Sequence, residues 1–574
     1  MTKSLPPHSN LFLSKNGATH VYWDYPFWDT QKKYGNHLRL YIGKVDIGGN
    51  FIPNRYYLSL EARGEVDKPP EFVDKAGREK SINEMIFLAS QKSAANDVSV
   101  KTNIEELYYG GSHLLNEISM SLGVEHDLSQ CFPDCYKEIL SIAYYNVLQP
   151  HSAPDLFWRW AYDHQHPCGT VLTSQSISNL INYQITEQQK QDFFKTQIQR
   201  RKENEYLGCD ISTVSSYSEL IKSVRYGRNK DHEKLPQINL ALVVGEVTRI
   251  PACYRMLPGN ISDVTTLRKI ILDMDYFNIE ELRFVLDRGF YSADNIKNLL
   301  QHNHLFILGA RRRVGYIENY IEKAKKILSS NRTSAFNTSA FNYDKELKVY
   351  FKSYDMRYTD EHFDNNNHLN IKEHLLKVHV YLNKDRAEDE RHKFHAKIND
   401  LEIKIKDKAR LTDDEESLKN KYFIETQSSK RYSNTIKKNR SAIMAKADDF
   451  GYSVLLTNEN IPFHDILSNY RQKDVVEKAF DNFKDRLGLK RTEVHSDRAL
   501  DNKIFISFIS LIYISAIDKE MKSHKLYKNM TMDNLLANLD VIKICCSDGE
   551  NHYFSEVTKK QRELYIALGV NPPT

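Results

Sequence analysis

The clearest alternation of apolar and polar positions in the chain lies between residues 206 and 309. Short runs rich in Val, Ile and Leu are separated by turn residues, and two of the intervals have apolar residues at helical spacing. The pattern predicts an α/β region with the order strand, strand, strand, helix, strand, helix, strand. The seven sequences are EYLGCDIS, INLALVVGE, IPACYRML, DVTTLRKIILDM, LRFVLDRG, SADNIKNLLQ and LFILGA.

That element order is the one expected of an RNase H-like mixed sheet, and different patterns flank it. Aromatic and β-branched residues with Gly and Asn breaks indicate strands near the N-terminus, and helical spacing follows. After residue 313 strands and a very charged helical stretch interrupt the alternation, which resumes at GYSVLLT, so a large insertion splits the core. We predict a β-rich module at 1–80, a helical and DNA-binding region at 81–203, core parts at 204–313 and 451–517, an insertion domain at 314–450 and a helical tail at 518–574.

Length and composition agree with several folded domains. A chain of 574 residues is too long for one core at roughly one domain per 150 residues, and 41% hydrophobic residues argue against general disorder. The N-terminus lacks the apolar run of a signal peptide, and the longest apolar stretch, 504–517, is predicted to be a buried helix. The seven cysteines are scattered along the chain, a pattern that does not indicate a disulfide framework. We therefore expect a protein of a reducing cytoplasm, without a membrane partner.

Positive charge is grouped although the net charge is only +4. The segment 195–202 has four cations and no anion, and 222–234 and 311–326 are also basic. Grouping matters more than the total for a polyanionic partner. Because most basic stretches are simply solvated faces, these segments favour nucleic-acid binding only modestly.

Two aspartates lie where predicted strands end. Asp210 ends the first strand in GCDIST, and Asp287 ends the fourth in FVLDRGF. Converging carboxylates are what hard cations such as Mg²⁺ require, and two such ions can activate a nucleophile and neutralise a leaving oxygen. Each aspartate taken alone is more often a turn former or a helix cap.

A third acid lies in a patterned helical stretch, 464–487, which contains neither Pro nor Gly. Steps of three, four and seven residues put Tyr470, Lys473, Glu477 and Lys484 on one stripe. A carboxylate between cations suits a metal ion beside phosphates. By spacing alone, an ordinary amphipathic helix with Glu–Lys pairs explains the stripe equally well.

The stripe resembles the Y-x2-R-x3-E-x6-K signature of one large branch of bacterial insertion-sequence DDE transposases. Tyr470, Glu477 and Lys484 match it, and Lys473 stands where that family usually has Arg. Lysine keeps the charge and loses the planar bidentate fork. Further matching motifs occur in the family's order, namely 210–213 (DIST), 226–232 (YGRNKDH) with 235–237 (LPQ), 258–263 (PGNISD) and 287–290 (DRGF).

The resemblance implies an RNase H-like catalytic core with a β-rich insertion domain, and a transposase that cleaves transposon ends and transfers the 3′ strands into target DNA. It implies that Asp210, Asp287 and Glu477 hold two Mg²⁺ or Mn²⁺ ions per active site. The expected partners are double-stranded DNA, as terminal inverted repeats and as target, and a second copy of the chain in a homodimer. The residues expected to contact DNA are Tyr470, Lys473, Lys484, Arg288, Arg228, Lys230, Arg311 and Arg312.

Some readings remain open at this point. An RNase H-like nuclease without strand transfer, or a domesticated DNA-binding protein, would share most of these motifs. A zinc site could be drawn from cysteines and histidines between 131 and 168, but buried cysteines with surface histidines are the simpler interpretation. Among the alternative acids, Asp263 is predicted to cap the following helix. The others are Asp231, Asp273, Asp275 and Asp294.

Overall fold

A computed structural model divides the chain into two compact units, Met1–Ile104 and Glu105–Thr574. Predictions for residues 81–104 lie outside the part of the chain that the structure describes. The described residues are 9–13, 19–29, 34–45, 50–64, 66, 105–150, 152, 156–201, 205–218, 220–231, 233–277, 279, 281–312, 314–330, 342–363, 369–427, 434–489, 491–492, 494, 496–546 and 552–573.

In its described residues, the first unit is a four-stranded antiparallel sheet with one helix. Its strands pair in chain order, and Trp23 and Ile42 are among the side chains buried between the sheet and the helix. Asn54 caps the helix by accepting a hydrogen bond from the Tyr57 N–H, and Gly64 ends it in the left-handed conformation. The elements are β1 (Ser9–Leu13), β2 (Thr19–Asp29), β3 (Tyr34–Val45), β4 (Phe51–Pro53) and α1 (Arg55–Arg63).

The second unit begins with one strand and a group of helices, as the helical spacing predicts. The helices share a single core with the long C-terminal helix described below, and Phe132 and Phe193 both contact Phe505 of that helix. A separate helical domain is therefore not what forms here. The elements are β5 (Glu105–Tyr108), α2 (Gly110–Leu122), α3 (Val124–Cys131), α4 (Tyr136–Leu148), α5 (Phe157–Asp163), α6 (Ser174–Asn179) and α7 (Glu187–Gln199).

The seven elements predicted between 206 and 309 all form, in the predicted order. They are β6 (Leu207–Ser216), β7 (Gln237–Gly245), β8 (Pro251–Pro258), α8 (Asp263–Tyr276), β9 (Arg283–Leu286), α9 (Ala293–Gln301) and β10 (Leu305–Gly309). Their order across the sheet is β8-β7-β6-β9-β10. β7 and β8 are antiparallel to their neighbours, while β9 and β10 run parallel to β6. This part of the sheet is mixed, and β6 is the middle one of these five strands.

The insertion extends this same sheet, which corrects the expectation of a separate domain at 314–450. β13 (Leu369–Leu382) pairs with β16 (Tyr452–Thr457), and β16 pairs with β10, so the sheet has ten strands among the described residues. It runs β11-β12-β13-β16-β10-β9-β6-β7-β8, with β17 (Arg491–Thr492) also on β6. The inserted elements are α10 (Gly315–Ser330), β11 (Asn342–Asp344), β12 (Val349–Phe363), β13 (Leu369–Leu382), α11 (Lys384–Lys406), α12 (Asp413–Tyr422), β14 (Phe423–Gln427), β15 (Asn434–Lys438), α13 (Arg440–Ala447) and β16 (Tyr452–Thr457).

Within the insertion, the charged stretch forms two helices with a small core of their own. Ile398 and Leu401 of α11 pack there with Tyr422 and Phe423. Thr412 and Glu415 form the capping box predicted from their spacing. The polar faces of the helices are largely exposed, and an ion pair between Lys404 and Glu415 joins the two helices beside the apolar core.

The remaining elements complete the core. They are α14 (Phe463–Gln472), α15 (Asp474–Asp481), a π-helical turn (Asn482–Arg486), β17 (Arg491–Thr492), α16 (Asp497–Ser523), α17 (Met532–Asp540), β18 (Lys543–Cys546), β19 (His552–Phe554) and α18 (Lys559–Ala567). The boundary predicted at 517/518 cuts α16. The predicted helical tail also contains β18 and β19, which form a sheet with β5.

Helix α16 is the one described helix that is long and apolar enough to cross a membrane. Of its most apolar window, 83% is buried inside the protein. Its Tyr513 hydroxyl donates to Ser119 Oγ at 3.0 Å, so that even its polar atoms are satisfied within the fold. The apolar run at 504–517 is a core helix, as predicted.

A pair of buried carboxylates supports the start of the central strand. Glu205 accepts hydrogen bonds from the backbone N–H groups of Val247 and Thr248, both at 2.7 Å. Glu246 beside it is buried and its Oε1 has no hydrogen-bond partner. Burial, together with the charge of Glu205, raises the pKa of Glu246 to about 8.

We predict that Glu246→Gln stabilises the protein at alkaline pH. The folded-state pKa of Glu246 lies above its unfolded value. The free energy of unfolding of the wild type is therefore fully present below the unfolded pKa, and part of it is lost as pH rises through about 8, where the buried carboxyl ionises. The neutral amide cannot ionise. Thermal unfolding should therefore show a Tm gain for the variant at about pH 9 and little difference at about pH 5. An equal shift at both pH values would contradict the assignment.

Candidate active site

The two predicted aspartates lie on neighbouring parallel strands. Asp210 lies within β6 and not at its end as predicted, and Asp287 follows directly after β9. In the β6–β9 pair, Cys209 is aligned with Leu286, and the next residue on each strand is Asp210 or Asp287. Adjacent strands are about 4.8 Å apart, and paired residues of parallel strands point to the same face. The pairing therefore presents both carboxylates together.

The sheet is open next to these acids. β9 ends at Leu286, and the chain leaves the sheet through a short 3-10 turn, Arg288–Phe290. The same edge of β6 is paired again only at Ser215, by β17. Between these points β6 has no described strand on that side, so the acids border a gap in the sheet.

Helix α15 brings Glu477 to the same face of β6. Side chains alternate along a strand, so Gly208 and Asp210 share a face. A β-carbon at Gly208 would lie 2.8 Å from Cγ2 of Val476, which shows how closely α15 packs there. Glu477 follows Val476 and has 58% of its side chain exposed, whereas Asp210 has 30% and Asp287 has 37%.

Tyr470 and Lys473 both bind one oxygen of Asp287. The Lys473 ammonium donates to Asp287 Oδ1 at 3.0 Å, and the Tyr470 hydroxyl donates to the same atom at 3.1 Å. Lys473 Nζ is also 3.9 Å from Glu477 Oε1. Lys473 thus links the second and third predicted acids.

Gly309 at the end of β10 makes room for this arrangement. A β-carbon there would lie 2.5 Å from the Tyr470 hydroxyl and 3.0 Å from the backbone nitrogen of Arg288. Real β-carbons do not approach other atoms so closely. The hydroxyl of Tyr470 reaches Asp287 only because residue 309 has no side chain.

The surroundings keep Asp287 ionised. Burial alone would raise its pKa, but the charge and hydrogen bond of Lys473 oppose this, together with hydrogen bonds from the Arg288 backbone and Tyr470. The net result is a pKa below the ordinary value for an aspartate. For Tyr470, burial and the neighbouring Asp287 raise the pKa, so its hydroxyl stays protonated and acts as a donor.

Lys484 is not where the helical stripe predicts it. The stretch 464–487 is broken at Lys473 and ends in a π-helical turn, in which the Leu487 N–H donates to Asn482 O. The π turn adds a residue to the repeat, so Lys484 rotates off the face of Glu477. Its side chain is 10% exposed and its ammonium is paired with Asp231. The expected open phosphate contact is replaced by an ion pair in which Lys484 is nearly buried and Asp231 is 38% exposed.

The face beside Asp287 opens into a cleft of about 1340 Å³. Asp287 and Lys473 line this cleft, whereas Asp210 and Glu477 are not among its lining residues. Among the described lining residues, cations outnumber the three aspartates, so the cleft suits a polyanion. The cations are Arg228, Lys230, Arg288, Arg311, Arg312, Arg386, Lys446 and Lys473.

Six of these cations are among the predicted DNA contacts. Arg228 is exposed, and Lys230 lies 3.4 Å from Asp210 Oδ1. Arg311 donates at 3.3 Å to the backbone oxygens of Arg288 and Gly289, so it also braces the turn after Asp287.

Arg312 is different, because its guanidinium is already engaged. It donates to the backbone oxygen of Asp449 at 2.5 Å and lies 3.6 Å from Glu390. These partners belong to the inserted segment, so Arg312 fastens that segment to the core as well as lining the cleft.

Sequence reasoning missed Arg386 and Lys446. They belong to α11 and α13, two ordinary charged helices with no motif, and only the extension of the sheet brings them to the cleft. The prediction for Asp263 was also wrong in detail, because Ser262 is the N-cap of α8 and Asp263 lies in its first turn. Asp263 instead lines the cleft, close to Gly289.

The chemistry of the three acids fits a divalent metal ion. Carboxylate oxygens are the donors that Mg²⁺ and Mn²⁺ prefer. In the described part of the chain no three Asp, Glu, His or Cys side chains stand close enough to hold an ion as they are, and this includes the cysteines and histidines at 131–168. An ammonium group, that of Lys473, stands between Asp287 and Glu477. A cation is thus already held at these two acids.

Comparison with known proteins gives the class. The family model of the transposase DDE domain matches residues 209–513, just over half of the chain. The chain belongs to this family of DDE transposases. All three predicted acids lie within the matched residues.

Other comparisons add little. The cryo-EM structure of the piggyBac transposase synaptic complex with hairpin DNA is similar at 12% identity, covering 74% of this chain and 70% of that chain, with a TM-score of 0.30. At that TM-score the likeness carries no argument about this protein. No curated protein matches the chain.

We predict that Gly309→Ala displaces Tyr470 from Asp287. The new methyl group meets the Tyr470 hydroxyl, so overpacking should cost about 1–3 kcal/mol of stability. In a Tyr470→Phe background the clashing oxygen is absent, and the same change should cost clearly less. Urea unfolding of the four proteins measures this difference, and an equal cost in both backgrounds would show that the contact is not decisive.

We predict that Lys484→Met lowers stability rather than the salt dependence of DNA binding. Loss of the ammonium leaves Asp231 without its partner, at a cost of about 1.5–3 kcal/mol. In an Asp231→Asn background the loss should be smaller. If the variant instead shows a flatter salt dependence of DNA binding with unchanged stability, Lys484 contacts a phosphate as first predicted.

Proposed function

We propose that this protein is an active DNA transposase with an RNase H-like catalytic core, of the insertion-sequence branch with the Y-x2-R-x3-E-x6-K signature. The reaction would be metal-dependent cleavage at transposon ends, followed by attack of the 3′ hydroxyls on target DNA. The observation that carries the proposal is the register of β6 with β9, in which Cys209 is aligned with Leu286 so that Asp210 and Asp287 follow on neighbouring parallel strands, with the helix of Glu477 packed against β6.

The three acids are assigned as the metal ligands. Two Mg²⁺ or Mn²⁺ ions held there would activate the oxygen nucleophile and neutralise the leaving oxygen. Tyr470 holds Asp287 in place through its hydroxyl, and the depressed pKa of Asp287 keeps this ligand ionised at neutral pH.

The basic cleft is assigned to the DNA backbone. Arg228, Lys230 and Arg288, with Arg386 and Lys446 from the inserted segment, would hold phosphates and fix the register of the strand without reading bases. Recognition of terminal inverted repeats requires other surfaces, and the helical region before residue 203 remains our candidate. Two DNA ends must be handled together, which favours a homodimer. The setting would be a prokaryotic cytoplasm, where the DNA is accessible.

We predict that Asp210→Asn, Asp287→Asn and Glu477→Gln each abolish Mg²⁺-dependent cleavage, because each removes one anionic oxygen ligand from the site. Binding of the same DNA should change little, since the phosphate contacts lie on other residues. The substrate is linear DNA carrying the sequences that flank the coding region, and gel analysis follows cleaved and joined products. Asp294→Asn is the matched control, an exposed aspartate paired with Arg268 on another helix.

The outcomes separate the possible functions. Cleaved and joined products from the wild type support a transposase, and cleavage without joining indicates an RNase H-like nuclease. Binding without cleavage indicates a domesticated DNA-binding protein. Full cleavage by any one of the three variants would show that the wrong carboxylate has been assigned.

A further inference from the structure

Every proposed metal ligand already has an ammonium neighbour. Lys230 Nζ lies 3.4 Å from Asp210 Oδ1, and Lys473 Nζ lies 3.0 Å from Asp287 Oδ1 and 3.9 Å from Glu477 Oε1. Two lysines therefore offset the three adjacent carboxylates. Unlike the nearly buried ammonium of Lys484, these ammonium groups lie at the wall of the basic cleft.

The two lysines differ in how firmly they are held. The Lys230 ammonium also donates to the backbone oxygen of Ile211, and its backbone N–H donates to Thr213 Oγ1 at 3.2 Å, so Lys230 is fastened to β6. Lys473 lies at the break between α14 and α15, and besides the two acids its ammonium contacts the face of the Tyr470 ring, at 5.3 Å from the ring centroid. Its side chain is 23% exposed and faces the cleft. Lys473 is the one of the two that can turn away.

A divalent cation and the Lys473 ammonium compete for the charge of Asp287. Both are positive, and at one carboxylate in a partly buried site the repulsion between them is strong. Only the flexible lysine side chain can yield. The cleft that it would enter suits phosphates by its charge.

We propose that Lys473 is an internal counterion that leaves Asp287 and Glu477 when a divalent cation binds, and then contacts a DNA phosphate in the cleft. This rests on the proposed function, in which the three acids hold the ions. Metal binding and DNA binding are then coupled through one side chain. Because such coupling is reciprocal, DNA also favours metal binding by the same factor. Lys473 is a positioning residue in this scheme.

The first test measures Mn²⁺ binding alone by isothermal titration calorimetry, without DNA. Lys473→Met removes the competing charge and keeps an unbranched side chain, and we expect it to bind Mn²⁺ at least about tenfold more tightly than the wild type, a difference of about 1.4 kcal/mol. Lys473→Arg keeps the charge and should resemble the wild type. Equal Mn²⁺ affinity of the wild type and Lys473→Met would overturn the proposal.

The second test measures the salt dependence of DNA binding with EDTA and with Ca²⁺, a hard cation that takes oxygen ligands. One additional phosphate contact steepens the slope of log K against log salt by about 0.9. Relative to Lys473→Met, the wild type should show this steeper slope with Ca²⁺ and no difference with EDTA. Lys473→Arg should behave like the wild type.

Lys446→Met is the control for an ordinary cleft cation. It should flatten the slope equally with EDTA and with Ca²⁺, because Lys446 lines the cleft from α13 of the inserted segment, where its ammonium lies over the Phe450 ring at 5.5 Å. The same behaviour in Lys473→Met would mean that Lys473 always contacts DNA and would overturn the coupling. Neither test needs catalysis. A protein that couples Ca²⁺ to the slope but never cleaves DNA would refute the transposase proposal alone.

Discussion

The chemistry of this protein depends on the parallel pairing of β6 with β9. The register that aligns Cys209 with Leu286 also brings Asp210 next to Asp287. Side chains alternate between the faces of a strand, so a slip by one residue would turn one carboxylate to the opposite face. The buried neighbours of the two acids, including Cys209 and Leu286, hold that register because they belong to the hydrophobic core.

Bringing carboxylates together has an electrostatic cost, and the structure offsets it locally. Adjacent anions in a partly buried site repel one another. Lys230 and Lys473 supply opposite charge at short distance, and Tyr470 donates a hydrogen bond to the same oxygen of Asp287 that Lys473 binds. Asp287 consequently remains ionised although burial opposes it. The negative charge of the site thus favours a cation, and in the folded chain the ammonium groups of Lys230 and Lys473 supply the positive charge.

The insertion contributes to the site by lengthening the sheet. Because β16 pairs with β10 and β13 pairs with β16, the inserted segment is continuous with the core and shares its hydrogen bonds. Its helices are thereby fixed beside the gap at the end of β9, and Arg386 and Lys446 reach the cleft. Arg312 ties the two walls together through the backbone oxygen of Asp449. A flexibly linked domain could not hold these cations in place.

The sequence by itself determined the seven core elements, the buried helix at 504–517, the capping box of α12 and the acids worth considering, because these follow from local periodicity and from short motifs. Only the tertiary structure decided which strand each acid neighbours, how the insertion joins the sheet and which lysines are available. Lys473 and Lys484 illustrate the difference. On a regular helix they would share a face, but a break and a π turn direct one to Asp287 and bury the other against Asp231. Such irregularities arise from packing against distant residues, and no local pattern in the chain records them.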